Sequence, residues 1–516
     1  MLARAHTFTI EGLHTRRVSV EVDVRAGLPG FTIVGLADAA VREARERIQT
    51  AILNSGYEFP ARRITANLAP GDVRKAGPGL DLALACAVLA ASGQLPQQGL
   101  EDVALYGELA LDGAVRPSRG TLAVAQATQR AGMTTLVLAG ARAREAQLIE
   151  GLQVIVAEHL CSAVRVLSGG AGDQLPKPAA APAGERPDTS VGSPAVAAVD
   201  LGDVRGQHHA VRAIVIAAAG AHNVLLSGPP GTGKTMLAQR VASILPPLSS
   251  TEAIEVTRIH SVMGSGVQAL ARCRPFRAPH HSITAAGLLG GASREWVGEA
   301  VLAHNGVLFL DELSEFTRAT LEALRQPLED GRVAIARARH SAVYPARFML
   351  VAATNPCPCG YAGEGDRCSC GEADMLRHRR RLSGPLLDRI DILASLQRDL
   401  TSDRHAAPLM SSERARERIA SARERQARRL CGEGMSVNAQ MDARMLSVHV
   451  RLNERCQEML LAARQSGLLS ARGEHRLLRV ARTIADLNGC DRVRATDVGA
   501  ALALRPDVSL AGTRAA

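Results

Sequence analysis

The sequence predicts an α/β protein whose C-terminal part is helical, and three patterns carry this prediction. Up to about residue 170, short apolar segments with strand-like alternation are interleaved with helix-like segments. The same interleaving resumes after residue 200 and continues to about residue 400. Beyond that point apolar residues recur at i, i+3 and i+4, which indicates amphipathic helices. With 516 residues, 46% of them apolar, the chain has room for about three domains with sizeable cores.

A stretch rich in Pro, Ala and Gly separates the two interleaved regions. Residues 170–199 hold five prolines and no aromatic residue, a composition typical of a flexible linker. We therefore predict an α/β domain at 1–168, a linker at 169–199, a parallel-sheet domain at 200–400 and a helical domain at 401–516.

The charge and the apolar runs bound the partners and the location of the protein. The net charge is +10, and all except three of the 61 basic residues are arginines. Because arginine is abundant along the whole chain, a local cluster of arginines is better evidence for a polyanionic partner than the total charge is. The chain does not open with a signal-peptide pattern, and its longest apolar runs are shorter than the ~20 residues of a membrane span. We therefore expect a cytoplasmic protein without a membrane segment.

A glycine-rich motif is the strongest functional signal. The pattern G-x-x-x-x-G-K-T follows the predicted strand “NVLLS” and opens a helix, which is the context in which this motif binds phosphate. Backbone N–H groups would close around phosphate oxygens, while Lys234 reaches the β- and γ-phosphates and Thr235 holds Mg²⁺. The predicted ATP site comprises Gly228, Pro229, Pro230, Gly231, Thr232, Gly233, Lys234, Thr235 and Met236.

Two further predicted strands end in polar residues that suit ATP hydrolysis. The strand in “GVLFLDEL” ends at Asp311 and Glu312, of which Asp311 would order Mg²⁺ and Glu312 would orient the attacking water. The strand “FMLVAAT” is followed by Asn355, at a position where P-loop motors carry a polar residue that senses the γ-phosphate. Asn before Pro is also an ordinary turn former, and this alternative stays open.

Four of the ten cysteines lie close together in the sequence. Cys357, Cys359, Cys368 and Cys370 form C-x-C-x₈-C-x-C, and four thiolates suit a tetrahedral, structural Zn²⁺. Because the C-x-C pairs are tighter than the common spacing, four free thiols in a loop remain the alternative. The other six cysteines are predicted to fill apolar cores.

Several segments together resemble one family, the magnesium-chelatase-like AAA+ ATPases of the YifB/ComM type. The resemblance runs from the N-terminus to about residue 505, and its most specific segments are “FRAPHHSITAAGLLGG”, “LFLDELSEF”, “LRQPLEDG”, “SGPLLDRIDI” and “SARGEHRLLRVARTIADLNG”. It implies a ring, expected to be a hexamer, that drives branch migration of DNA during uptake and recombination. It also implies that Arg389 is the arginine finger, which reaches the neighbouring subunit's nucleotide, and that Arg472 is the sensor arginine of the helical lid. Arg476 and Arg479 are alternatives for the second role.

The N-terminal region resembles the fold of Lon-type peptidases. The segments “RKAGPGLDLALACAVLAASGQLP” and “LYGELALDGAVRPSRGTLAVAQATQRAG” carry this resemblance. A Lon-type enzyme needs a Ser nucleophile and a Lys base, but Gly79 stands at the Ser position and Leu122–Ala123 at the Lys position. We therefore expect a Lon-like domain without peptidase activity.

Arginines cluster between the Asp311 strand and the Asn355 strand. Residues 331–347 contain no acid and alternate as a β-hairpin does, and their placement resembles the pore-lining hairpin of helicase-type rings. His280 and His281, on an earlier Gly-rich insertion, lack a nearby acid in the sequence and are weak candidates for metal ligands. We predict DNA contacts from Arg332, Arg337, Arg339 and Arg277, with solvated charges as the alternative.

These features together predict an ATP-driven ring motor that acts on single-stranded or branched DNA, with ATP and Mg²⁺ as cofactors and a structural Zn²⁺. A chelatase-type motor for metal insertion and a protein-remodelling ATPase share the same ATPase core, so both remain alternatives.

Overall fold

A computed structural model of the chain describes residues 1–170, 173–174, 199–264, 269–291, 297–337, 340–381, 384–398, 409–467 and 469–505. These residues form two compact units. The first contains Met1–Val191, Ser250–Ala271 and Ala336–Tyr344, and the second contains Gly192–Ser249, Arg272–Ile335 and Pro345–Ala516. Most of the predicted linker at 169–199 lies outside the described residues, so the predicted domain boundaries remain predictions.

The first unit is built on a mixed sheet. Its strands are β1 (Leu2–Glu11), β2 (His14–Arg25), β3 (Gly30–Val34), β4 (Arg63–Ala69), β5 (Val103–Tyr106), β6 (Glu108–Leu109), β7 (Val115–Arg116), β8 (Thr135–Leu138), β9 (Gln153–Val156) and β10 (Asp173–Gln174). Eight of them pair in the order β10-β9-β8-β5-β1-β2-β4-β3, and β6 pairs with β7. Val18, Val20, Val22 and Val24 of β2 are all buried, as expected for one face of a strand with a two-residue period.

Five helices accompany this sheet: α1 (Ala39–Asn54), α2 (Asp81–Ala91), α3 (Thr121–Arg130), α4 (Ala143–Ala146) and α5 (Leu160–Leu167). Every residue of α2 is buried. Because its sequence is apolar on all sides after the initial Asp81, this helix can only be stable inside the core.

The second unit is built on a parallel sheet. Residues Ala336–Tyr344, which include most of β15, belong to the first unit. The remaining strands of the chain are β11 (Val224–Ser227), β12 (Phe276–Arg277), β13 (Val307–Leu310), β14 (Arg332–Arg337), β15 (His340–Pro345), β16 (Met349–Thr354) and β17 (Ile392–Ser395). Five of them pair in the order β12-β13-β16-β11-β17, and every pairing is parallel. β13 and β16 are buried at every position, which is typical of parallel strands covered on both faces. The prediction of a mixed α/β chain with a parallel sheet is confirmed.

The helices of this half of the sequence are α6 (His208–Gly220), α7 (Lys234–Ile244), α8 (Ser250–Val262), α9 (Ala285–Leu289), α10 (Glu299–Leu302), α11 (Arg318–Ala323), α12 (Arg325–Asp330), α13 (Glu372–Arg381), α14 (Gly384–Leu387), α15 (Ser412–Arg429), α16 (Ala443–His449), α17 (Glu454–Gln465), α18 (Ala471–Leu487) and α19 (Ala495–Ala503). The predicted helical C-terminal region is therefore confirmed. Its central helix is α18, which packs against α6, α15 and α19. Among the described residues, no helix combines the length and the apolar character needed to cross a bilayer.

The helix α8 belongs to the first unit although it follows α7 in the sequence. It packs against α3, where the backbone N–H of Gly120 donates to Ser261 O at 3.0 Å and that of Leu122 to Ser261 Oγ at 3.3 Å. Arg142 Nη2 also donates to Gly264 O at 2.7 Å. The periodicity of the sequence predicted the helical pattern only in general terms and not this attachment, because no local signal marks an insertion that packs on a distant domain.

Candidate active site

The glycine-rich motif forms the turn between β11 and α7. Gly231 and Gly233 have φ angles of +79° and +87°, a backbone region that side chains with a Cβ rarely adopt. The helix α7 begins at Lys234 directly after Gly233, and no side chain caps its first turn. Its unpaired backbone N–H groups therefore face the turn, which is the arrangement that binds phosphate.

The ammonium group of Lys234 lies at the centre of this turn. Its Nζ donates to Gly228 O at 2.6 Å, to Pro229 O at 2.9 Å and to Asn355 Oδ1 at 3.0 Å. Burial lowers the pKa of Lys234, and the negative charges of Asp311 and Glu312 oppose that shift. The structure thus places a cation beside the helix start and joins it to the Asn that follows β16.

Two oxygen groups that suit Mg²⁺ meet next to this lysine. Thr235 Oγ1 donates to Asp311 Oδ2 at 2.7 Å, and Asp311 Oδ1 accepts from the backbone N–H of Glu312 at 2.9 Å. Hydroxyl and carboxylate oxygens are hard ligands, and Mg²⁺ commonly takes one or two of them while it keeps water and substrate phosphates. The residues therefore fit the ion that the motif predicts.

The order of the strands explains why these residues meet. β16 lies between β13 and β11, and Ser227 at the end of β11 is opposite Thr354 at the end of β16. In a parallel sheet, residues that follow neighbouring strands collect at one edge. At this edge the side chain of Asn355 accepts a hydrogen bond from Lys234. A residue whose role was only to form a turn would not need this contact with the ATP site.

His281 is a residue of this site that the sequence did not predict. Its Nδ1 lies 3.3 Å from Glu312 Oε2, and its ring makes an edge contact with Phe316 at a centroid distance of 6.5 Å. The ring of His280 lies 4.0 Å from that of His281. No acid lies near this histidine pair in the sequence, but the structure brings Glu312 next to His281 because β12 and β13 are neighbours in the sheet and the loops that follow them meet.

Glu312 itself has an unusual backbone and an open side chain. Its φ and ψ are 51° and 50°, in the left-handed region that residues other than glycine rarely adopt. Its side chain is 58% exposed, so the carboxylate can reach a water molecule. Backbone strain of this kind clusters at functional sites.

Arg389 lies in a group of arginines elsewhere in the second unit. It is paired with Glu329. Burial lowers the pKa of Arg389, and so do three positive charges, those of Arg325, Arg472 and Arg476. The two arginines that the family resemblance singled out, Arg389 and Arg472, therefore belong to one positive cluster.

The alternatives for the lid arginine differ in their surroundings. Arg476 donates to the backbone carbonyls of Ile390 at 3.0 Å and Leu387 at 3.3 Å, so its guanidinium already supports the fold. Arg479 is partly buried, and burial lowers its pKa. Arg472 is exposed in the first turn of α18. Of the three, Arg472 is the one whose position suits a ligand outside the chain.

The four clustered cysteines converge in space. Their sulfur atoms all lie within 4.8 Å of one another, and Cys357 Sγ is 3.3 Å from Cys359 Sγ and 3.8 Å from Cys368 Sγ. The backbone N–H of Cys359 donates to Cys370 Sγ at 3.4 Å. Four convergent thiols with backbone donors to sulfur fit a tetrahedral soft metal such as Zn²⁺.

The other six cysteines differ in burial, and Cys161 and Cys490 are only partly buried. Cys86 and Cys456 are buried, as predicted for residues that fill a core. Cys273 and Cys431 are exposed, so the prediction is wrong for these two. Cys273 precedes an arginine and Cys431 precedes a glycine-rich segment. The apolar residues close to them in the sequence therefore do not bury these two side chains.

The predicted DNA contacts are described only in part. β14 and β15 form the expected two-stranded hairpin, and Arg332 is exposed at its start. The side chain of Arg337 and all of Arg339 lie outside the described residues. Arg277 makes a bidentate ion pair with Glu299, with distances of 2.5 and 2.9 Å, so its guanidinium is engaged within the chain.

Comparison with known proteins places the chain in a family. Family models described as magnesium chelatase subunit ChlI, subunit ChlI of Mg-chelatase, and the C-terminal part of magnesium chelatase subunit ChlI match residues 200–403, 20–142 and 409–505. The protein YifB of Salmonella typhimurium is 44% identical over 498 residues, which cover 95% of this chain and 94% of the relative. Competence protein ComM of Haemophilus influenzae is 40% identical over 519 residues, or 99% and 98% of the two chains.

A more distant similarity covers part of the chain. The maternal DNA replication licensing factor mcm6 of Xenopus tropicalis is 27% identical over 173 residues, which are 33% of this chain and 17% of that protein. The full-length matches and the phosphate-binding turn agree on an AAA+ ATPase core, which implies ATP and Mg²⁺ as cofactors. The chain belongs to the magnesium-chelatase-like AAA+ ATPases of the YifB/ComM family.

Proposed function

We propose that the protein hydrolyses ATP as the subunit of a ring-shaped motor. The observation that carries this proposal is the convergence of Lys234, Thr235, Asp311 and Asn355 at one edge of the parallel sheet. These groups come from three different strand ends, and each has the chemistry that phosphoryl transfer requires.

Each residue has a distinct role in this proposal. The backbone of Gly228 to Met236 surrounds the phosphates, and Lys234 neutralises charge on the β- and γ-phosphates. Thr235 and Asp311 would hold Mg²⁺, which would offset the negative charge of the phosphates. Glu312 orients the attacking water, and Asn355 contacts the γ-phosphate.

The cluster around Arg389 supports a shared site. Arg389 lies near the positive charges of Arg325, Arg472 and Arg476, and contact with a polyanion would take the place of its ion pair with Glu329. We assign that role to the nucleotide of a neighbouring subunit, contacted by Arg389 as the finger and by Arg472. A finger supplied by a neighbour requires an oligomer, and the family resemblance favours a hexamer.

Mixed assemblies test the shared site. Glu312→Gln should bind ATP without turnover, and Arg389→Ala should bind ATP with kcat lowered by roughly 10³-fold or more. Mixing the two inactive variants should restore part of the activity, because some sites would combine an intact Glu312 with an intact Arg389. Mixtures as inactive as their components, or full activity of Arg389→Ala alone, would contradict the shared site.

We further propose that the motor acts on DNA, in branch migration during recombination of incoming single-stranded or branched DNA. Support comes from the relatives named as a competence protein and as a DNA replication licensing factor. The acid-free hairpin adds Arg332, Arg337 and Arg339 as phosphate contacts. Arg277 is the weakest of the four predicted contacts, because it is already paired with Glu299.

ATPase rates with and without forked DNA, measured at several salt concentrations, test this step. DNA binding should weaken steeply with salt, and Arg337→Ala/Arg339→Ala should flatten the slope while basal hydrolysis persists. Arg318→Ala is a matched control, because Arg318 is an exposed arginine outside the hairpin and pairs with Glu322. Absence of DNA binding at low salt would instead favour a chelatase-type motor, as the names of the family models suggest, or a protein-remodelling ATPase.

The first unit is proposed to be a Lon-like domain without peptidase activity. A Cβ at Gly79 would lie 2.5 Å from Tyr106 Cε2, and the hydroxyl of that buried ring donates to Arg119 O at 2.7 Å. A nucleophilic side chain at position 79 would therefore displace an anchored aromatic ring. Leu122 and Ala123 are buried and cannot supply a base.

The cysteine cluster is proposed to hold one structural Zn²⁺. Elemental analysis of protein purified without chelator should find about one zinc per chain. Metal-free protein of unchanged stability would contradict the zinc site.

A further inference from the structure

The loop that carries the four cysteines lies directly against the ATP site. From this contact we infer that metal binding at Cys357, Cys359, Cys368 and Cys370 raises the affinity of the protein for nucleotide. The inference rests on the zinc site and the ATPase proposed above, and it adds an energetic link between them. Three sets of contacts carry it.

The first contact joins the cysteine loop to the phosphate-binding turn. Gly360 is buried between Cys359 and Tyr361, and its φ is +89°. A Cβ at this position would lie 2.8 Å from Pro230 Cδ and 3.2 Å from Pro230 Cγ. The backbone of the cysteine loop therefore packs on the phosphate-binding turn without an intervening side chain.

The second set of contacts joins the loop to Asn355, two residues before Cys357. Asn355 Oδ1 accepts from Lys234, while its backbone carbonyl oxygen lies 3.0 Å from Nε2 of the buried His378. His378 belongs to α13, which begins two residues after Cys370. Asn355 is thus held on one side by the ATP site and on the other by the helix that leaves the cysteine loop.

The third observation concerns what keeps the loop folded. Among residues 355–378, only Cys357, Gly360 and His378 are buried. Backbone N–H groups of Ala362 and Cys359 donate to Cys357 Sγ and Cys370 Sγ, at 3.2 and 3.4 Å. A segment with so little apolar burial needs a cross-link to hold one conformation, and a metal shared by four thiolates supplies one.

These contacts predict a reciprocal effect. When the metal orders the loop, Pro230 and Asn355 are held where nucleotide needs them, so nucleotide binding loses less conformational entropy. The affinity for nucleotide should then rise by roughly tenfold, within the usual range of coupling between two sites. By thermodynamic linkage, nucleotide should raise the affinity for the metal by the same factor.

The experiment uses the full-length protein with zinc as the metal. A fluorescent, non-hydrolysable ATP analogue reports the nucleotide Kd of the zinc-loaded protein and of the same protein after treatment with a chelator. Competition with a zinc-sensitive dye reports the zinc affinity with and without the unlabelled analogue. Neither measurement depends on ATP turnover.

Two variants separate the metal from the thiols. Cys368→Ser/Cys370→Ser removes the far pair of ligands and leaves Asn355, Cys357 and Gly360 in place. Cys431→Ser removes an exposed thiol from the same unit and should leave both affinities unchanged. Thermal unfolding shows whether the double variant folds, and the chelator comparison on the unmutated chain tests the coupling even if it does not.

The outcomes distinguish the inference from the proposals beneath it. A Kd about tenfold higher without zinc, together with tighter zinc binding in the presence of nucleotide, supports the coupling. Equal nucleotide affinities with and without bound zinc overturn the coupling but leave the zinc site and the ATPase intact. Protein that never binds zinc overturns the zinc site and the coupling together. Protein that binds zinc but no nucleotide in either form overturns the ATPase proposal and the coupling.

Discussion

The two units each begin a helix after a Gly-Pro segment, and they use that helix start in opposite ways. In the first unit, “GPGLD” at residues 77–81 leads into α2, and Asp81 at the first helical position is 1% exposed. Asp81 Oδ2 accepts from Arg47 Nε at 3.0 Å. In the second unit, “GPPGTGKT” leads into α7, and Lys234 and Thr235 at its start are not buried.

The difference between α2 and α7 shows which condition makes a helix start available to a ligand. Backbone N–H groups at the beginning of a helix favour a negative charge. In α2 the chain supplies that charge itself as Asp81, and Tyr106 fills the space next to Gly79. In α7 the first residues are a cation and a hydroxyl, so the negative charge has to come from a bound anion. The N–H groups at the helix start are therefore neutralised within the fold in α2 and are available to nucleotide in α7.

The largest expected effect is at the open helix start. Lys234→Ala should abolish detectable nucleotide binding, because the β- and γ-phosphates lose their cation and Asn355 loses its partner. Binding of a fluorescent ATP analogue measures the effect. Asp81→Asn, at the start of the closed helix, should leave the nucleotide Kd unchanged. Unchanged affinity in Lys234→Ala would remove the distinction between the two helix starts.

An attempt to open the closed helix start should destabilise the fold. Gly79→Ser should lower the free energy of unfolding by about 1–3 kcal/mol, because its Cβ would overlap the ring of Tyr106. Urea unfolding measures this change. Gly71→Ser is the matched control, since no atom lies within 4 Å of a Cβ built there. If both variants unfold at the same urea concentration, the space at position 79 is not closed.

At the open site, His281 should act through Glu312. His281→Ala should lower kcat by roughly tenfold, because Glu312 loses a neighbour that helps to position it. Loss of a general base itself would lower kcat by roughly 10²–10⁴-fold. The nucleotide Kd should not change, since His281 is paired with Glu312 and not with the phosphate-binding turn. Steady-state kinetics combined with analogue binding separates the two quantities. A raised Kd at unchanged kcat would exclude a role for His281 through Glu312.

The smallest effect concerns the pH dependence of the first unit. Burial raises the pKa of Asp81 to about 6 from the ordinary value of 3.8, although the hydrogen bond from Arg47 lowers it. The folded chain therefore binds this proton more tightly than the unfolded chain does. The resulting stability is fully present below pH 3.8 and is lost as the pH rises through about 6.

Urea unfolding between pH 4 and 7 checks this expectation. Stability should fall more steeply with rising pH in the unmutated chain than in Asp81→Asn, which carries no titrating carboxyl at this position. Identical pH dependence in the two proteins would show that Asp81 has the same pKa folded and unfolded.

Much of the ATP site could be predicted from the sequence because its signals are local. The glycines that permit the turn, Lys234 and Thr235 lie in one run of eight residues, and Asp311 and Asn355 each end an apolar strand. Strand ends in a parallel sheet share an edge, so the meeting of these residues followed from the class of fold. The spacing of the cysteines favoured their convergence around a metal but left four free thiols in a loop as an alternative.

Only the tertiary structure decided which residues from distant segments share a site. The contact of His281 with Glu312 depends on β12 and β13 being neighbours, and the burial of Gly79 depends on Tyr106 at the end of β5. Gly360 meets Pro230 across 130 positions of sequence. The attachment of α8 to α3 likewise joins residues more than a hundred positions apart. Periodicity and motif spacing report the preferences of a chain over a few turns or one strand. Contacts between such segments depend on the order in which strands and helices pack, and that order is set by the burial of the whole apolar surface at once.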